Sequence, residues 1–184
     1  MANEKAPVAD SALVSIFAPG AYTALVSGTG SNTGIGLVEV YDLDTLQPFS
    51  SQKLINVSTR GNVGTNADIL IGGFSINGSA PKRLLIRGAG PALAGLGVSG
   101  TLSAPRLQLF DTTPKLIREN FTWQVGNDAS LVSSAEAATG AFAFANGSAD
   151  SAILIVLPPG TYTAQLSGVG GATGIALVEV YEVP

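Results

Sequence analysis

Cysteine and histidine are both absent from the 184 residues. Disulfides and thiolate chemistry are therefore excluded, as are Ser-His-Asp and Cys-His catalysis and nearly all zinc sites. Charge is scarce: Asp, Glu, Lys and Arg make up 12% of the chain, against about 25% in an average soluble protein. Nine basic residues spread over the whole length form no phosphate-tracking patch, and the net charge is −4. Nucleic acid is not an expected partner. No apolar run approaches the ~20 residues of a membrane-spanning helix, so no span is expected. The opening stretch, MANEKAPVAD, is polar and lacks the apolar core of an intact signal peptide. A cytosolic protein and one whose leader has been removed both fit it.

What is present points to strands. Hydrophobic residues reach 46%, with 23 Gly and 10 Pro, and Val, Ile, Leu and Thr are frequent. That mixture argues for a compact β-protein and against a disordered chain. A chain of this length buries roughly two thirds of its unfolded surface and needs no metal or disulfide staple.

An internal repeat organises the chain. Residues 9–44 (ADSALVSIFAPGAYTALVSGTGSNTGIGLVEVYDLD) align without a gap on residues 149–184 (ADSAILIVLPPGTYTAQLSGVGGATGIALVEVYEVP), at an offset of 140 and with 20 of 36 positions identical. Each copy reads as a three-stranded meander. The strands fall near 12–17, 21–27 and 35–41, and again near 152–157, 161–167 and 175–181. Pro19-Gly20 and Pro159-Gly160 supply the tight turns. A fainter third copy runs from Ala67-Asp68 through the turn at 77–81 to RLQLFD at 106–111. Further strands are expected near 53–58, 68–76, 83–88, 105–111, 115–119 and 141–145. Pro91 suits the first position of a single helical turn at 91–94. Asp128 suits the N-cap of a helix over 129–138, closed by Gly140. Short strands at this spacing indicate an all-β fold, a β-sandwich of jelly-roll-like character. The expectation is one domain over residues 1–184, with ten to twelve strands and the two copies related by a pseudo-two-fold, residues 45–148 intervening.

Several motifs taken together carry a resemblance: STRGNVGT at 58–65, ILIGGFSI at 69–76, PKRLLIRGAGPAL at 81–93, LQLFD at 107–111, PPGTYTAQLSG at 158–168 and TGIALVEVYE at 173–182. The chain from about residue 9 to 184 resembles a β-sandwich repeat of large secreted bacterial surface proteins, with pre-peptidase C-terminal character in its back half. The resemblance implies export to the extracellular space or cell surface, and a structural or binding role without catalysis or cofactor. One departure is Glu119-Asn120-Phe121-Thr122-Trp123, where the family often has an Asn-Asp-rich turn suited to calcium.

Glu39 and Glu179 occupy equivalent repeat positions. Alternation along a strand puts Glu39 on one face with Ile35, Leu37 and Tyr41, while Val38 and Val40 face the other way. If that face is enclosed, each carboxylate needs a cation, and Arg60 and Arg87 are the candidates because each precedes a Gly at a strand end. The competing expectation is a solvated face on which Glu is a plain surface residue. The Asp residues at 42, 44, 68, 111, 128 and 150 begin or end strands, where turn-forming carboxylates are common. Asp42-Leu43-Asp44 is too thin a cluster to anticipate calcium. The Gly-rich stretches 28–36 and 168–174 lack the Gly-Lys-Ser/Thr ending and the following helix of a phosphate loop. The functional expectation is a non-catalytic extracellular module of a surface protein or filament that associates with its own kind, by strand edges or strand exchange. The alternative is a carbohydrate-binding accessory module whose partner is a polysaccharide.

Overall fold

The computed structural model describes residues 10–43, 53–126 and 128–184. The chain divides into two units, residues 1–53 and 54–184, and every strand among the described residues belongs to the second. Eight strands form two antiparallel sheets of four, the layering of an all-β sandwich. They are β1 (Asn56–Val63), β2 (Leu70–Ile76), β3 (Lys82–Ala89), β4 (Pro105–Asp111), β5 (Leu116–Asn120), β6 (Ser151–Leu157), β7 (Gly160–Gly168) and β8 (Gly174–Glu182). One sheet runs β1-β8-β3-β6 and the other β2-β7-β4-β5.

This connectivity corrects the expected meander. Strands β6, β7 and β8 follow one another in sequence, but none pairs with another. The Pro159-Gly160 corner carries the chain from one sheet to the other instead of closing a hairpin. Strand β6 pairs with β3, β7 with β2 and β4, and β8 with β1 and β3. The two triplets therefore interlock. Strand β3 lies between β6 and β8, and β7 lies between β2 and β4. The segment read as a faint third copy thus has the same plan as the clear one, with its outer strands in one sheet and its middle strand in the other.

Alternation explains the core. Leu84 and Ile86 of β3, Ala176 and Val178 of β8, Leu107 and Leu109 of β4, and Ala164 and Leu166 of β7 meet between the sheets. Their neighbours along each strand point the other way. Gly88 permits the close approach: a Cβ there would lie 2.4 Å from Leu166 Cδ1.

The opposite face of the first sheet is covered too. Leu85 and Ala89 of β3, Ala152 of β6 and Val183 join Leu93, Trp123, Val132, Ala135 and Phe144 in a second cluster. Two helices, both expected from the sequence, sit over it. Helix α1 (Pro91–Gly95) opens with proline. Helix α2 (Ala129–Thr139) begins at Asp128, whose carboxylate accepts from the Ser130 and Leu131 N–H groups, and ends at Gly140 with φ 72°. The expected strand at 141–145 does not form. Its alternation serves instead to send Phe142 and Phe144 from one irregular segment into this cluster.

In the first unit, residues 10–43 contain no strand, and every one of them is exposed. The sandwich expected over 1–184 therefore spans 54–184 among the described residues. Local geometry nevertheless repeats closely between the two copies. Tyr22 OH donates to Ala18 O at 2.8 Å, as Tyr162 OH does to Pro158 O at 2.9 Å. Asn32 N–H donates to Thr29 O at 3.3 Å, as Ala172 N–H does to Val169 O at 3.2 Å. Gly30 and Gly170 have φ of 65° and 64°.

Candidate functional site

The second cluster holds the most unusual chemistry among the described residues. Arg87 comes from the middle of the first sheet, where both strand faces are covered, and it is fully buried. Its register partner on β8 is Glu179. Residues opposite one another on adjacent strands share a face, so the acid and the guanidinium meet beneath α2. Arg87 Nη1 lies 3.4 Å from Glu179 Oε2, and Arg87 Nε lies 3.7 Å from Glu136 Oε1 on α2. Phe142 and Phe144 present their rings to the guanidinium carbon, 4.3 and 4.0 Å from the ring centres. None of the three guanidinium nitrogens makes a hydrogen bond among the described residues. Two carboxylates and two aromatic faces hold the charge by Coulombic and cation–π attraction.

Each carboxylate has a further tie. Tyr181 OH donates to Glu179 Oε1 at 2.6 Å, and the Phe144 N–H donates to Glu136 Oε2 at 3.4 Å. Two carboxylates face one guanidinium, so full ionisation would bury an excess negative charge. Burial pushes the Glu136 carboxyl above the usual carboxylate range, although Arg87 and the Phe144 N–H pull the other way. Burial also raises the Tyr181 hydroxyl, and its hydrogen bond to Glu179 adds to the rise. Tyr181 thus stays a donor to the carboxylate well into the alkaline range.

Of the four residues singled out from the sequence, Arg87 and Glu179 come together. Arg60 is exposed on β1, opposite Leu177, and takes no part. Glu39 is exposed, and its carboxylate accepts from Tyr41 OH at 3.0 Å. The interior reading of the Glu face therefore describes the second copy, and the solvated reading the first. Glu136 was not foreseen. The available signal was its isolation as the one charged residue between Asp128 and Asp150.

A second buried acid joins distant parts of the sandwich. Asp150 is fully buried and accepts from the Gly90 and Ala92 N–H groups at 2.7 and 3.2 Å, anchoring the start of β6 to the start of α1. Ser148 Oγ also donates to it. Asp111 behaves as turn chemistry predicts. It accepts from Thr113 N–H and Oγ1 and from Lys115 N–H, which hold its carboxyl below the usual range. Asp44 lies outside the described residues. Among the described residues no group of three or more potential ligands could hold a metal ion, and no helix is long and apolar enough to cross a membrane.

With Arg87, Glu136 and Glu179 no more than 4% exposed, this cluster offers a substrate no approach in the closed fold. What it can do is clamp. One guanidinium joins β3, β8, α2 and the segment after α2. No family model, curated protein or solved structure matches the chain.

Proposed function

We propose that the protein is a non-catalytic structural module of the cell exterior that associates with its own kind. The observation that carries this reading is the character of two sheet edges. Strands β2 and β6 each end a sheet, and neither LIGGFSI nor SAILIVL contains a charged residue. Proteins that remain single usually blunt such edges with Lys, Pro or bulges, because an edge row of N–H and C=O groups is a template for another strand. The other two edges do carry charge, Arg60 on β1 and Arg118 and Glu119 on β5. The extracellular location rests on the resemblance to secreted surface repeats.

Light scattering coupled to size exclusion, run over a range of concentrations, tests the proposal. The expected result is a mass that climbs above 18.5 kDa with concentration, and fibres or chains of particles by negative-stain microscopy. A constant monomer mass with an empty grid overturns it. In that event, retention on a polysaccharide column would favour the carbohydrate-binding reading.

A further inference from the structure

We propose that residues 10–43 are a donor segment whose partner is an acceptor half of the same fold. That acceptor is a polypeptide stretch equivalent to residues 54–148, presenting β1 to β5, α2 and a buried arginine at the Arg87 position. The inference goes beyond self-association through sheet edges, and it names what one part of the module pairs with.

Three observations lead there. The first is topological. In the C-terminal copy every ladder partner of β6, β7 and β8 comes from residues 56–111. The three strands of that copy make no ladder with one another. The N-terminal copy has the same pattern, and among its described residues a single backbone–backbone hydrogen bond is formed, from Asn32 to Thr29. Most strand-type backbone groups of this segment thus make no ladder bond among the described residues.

The second is chemical. Both copies form their local contacts, the two tyrosine hydrogen bonds and the glycine turn, with nearly the same geometry. The groups that reach across to the acceptor half are repeated as well. Asp10 matches Asp150, which takes the Gly90 and Ala92 N–H groups. Ser11 matches Ser151, which donates to Pro105 O at 2.7 Å. Glu39 matches Glu179, which faces Arg87. In the first copy these groups are exposed, together with Leu13 at 84%, whose counterpart Ile153 is fully buried, and Ile35 at 98%. A carboxylate and its tyrosine thus share a face with apolar side chains, complementary to a guanidinium set against two phenyl rings.

The third is stoichiometric. Among the described residues there are two donor segments, 10–43 and 150–184, and one acceptor half. Exchange between copies of this chain swaps one donor for another and always leaves one over. The tethered donor 150–184 already fills its own acceptor, so the occupant suited to 10–43 is an acceptor half that lacks a donor.

The experiment inserts a second copy of residues 54–148 between Val8 and Ala9 of the full chain, which keeps the repeat frame, and follows amide hydrogen exchange. In the unlengthened chain, residues 12–17, 21–27 and 35–41 are expected to exchange freely. In the lengthened chain their protection should rise by roughly a hundredfold or more, toward that of β6, β7 and β8. Glu39→Ala should leave the unlengthened chain unchanged and lower this new protection. A second variant covers failure of the inserted half to fold. Val178→Asp cripples the resident donor, and residues 10–43 should then gain protection by taking its place. Exchange of 10–43 that stays free in both variants overturns the inference. So does protection of 10–43 already present in the unlengthened chain as a dimer, because the occupant is then a second copy. A constant monomer mass for the unlengthened chain removes self-association but leaves this inference standing.

Discussion

A guanidinium set against two phenyl rings and two carboxylates is costly to disturb from either side. Removing Arg87 leaves Glu136 and Glu179 buried without a cation, and breaking such a group by deleting one partner costs about 3–5 kcal/mol. Arg87→Leu is therefore expected to lower the urea midpoint of the sandwich severely or prevent folding. Arg87→Lys should also be destabilising, because a compact ammonium cannot meet two carboxylates and two ring faces at once as the broad guanidinium does. Glu136 predicts the opposite kind of effect. Its carboxyl is raised in the folded state by burial, so the fold binds that proton more tightly than the unfolded chain does. The stability this provides is present below the unfolded value and is lost as pH rises through the folded one. Urea titrations between about pH 4 and about pH 8 should show this fall in the native protein. Glu136→Gln should flatten it, and a variant with an unaltered slope would contradict the assignment.

At the scale of elements, the parts that local chemistry dictates were legible in the sequence. Asp128 and Gly140 bracket α2 because a capping carboxylate and a left-handed glycine act within one turn of the chain. Pro91 marks α1 for the same reason. The alternation around Glu179 predicted its face correctly, since side-chain parity along a strand needs no knowledge of the partner. Pairing is a different matter. Nothing local distinguishes a Pro-Gly hairpin from a Pro-Gly corner that changes sheets, so the three strands of the second copy read as neighbours when they are not. The AFAFA run misled in the same way. Its alternation was real, but it is used to aim two rings at Arg87 instead of to join a ladder. Glu136 escaped notice because a lone Glu on a helix of small residues looks like a solvent-facing position until the helix is placed over the sheet. Two substitutions test these elements. Gly140→Ala at φ 72° should cost about 1 kcal/mol in thermal unfolding. Gly88→Ala should cost about 1–3 kcal/mol, because its methyl group would intrude on Leu166 between the sheets.

Across the whole molecule, the two units should differ sharply in their resistance to proteases. Residues 10–43 are exposed and hold no ladder, whereas residues 54–184 enclose two apolar clusters. Brief digestion with a protease of broad specificity should cut the first unit and leave a resistant fragment beginning near Leu54. Its mass by spectrometry is the check, and an equally resistant first unit would contradict the description.

The interlocked triplets also govern how the sandwich comes into being. The central pair of one sheet joins β3 to β8, strands about 90 residues apart along the chain, and β8 also separates β1 from β3. Strands β1 and β3 therefore emerge from the ribosome long before the strand that belongs between them. At about 5–20 residues per second, that interval lasts seconds, during which half-built sheets stand open. Refolding from urea should accordingly fall in the millisecond-to-second range of topologies dominated by distant contacts, and the nascent chain should need shielding until β8 slides home.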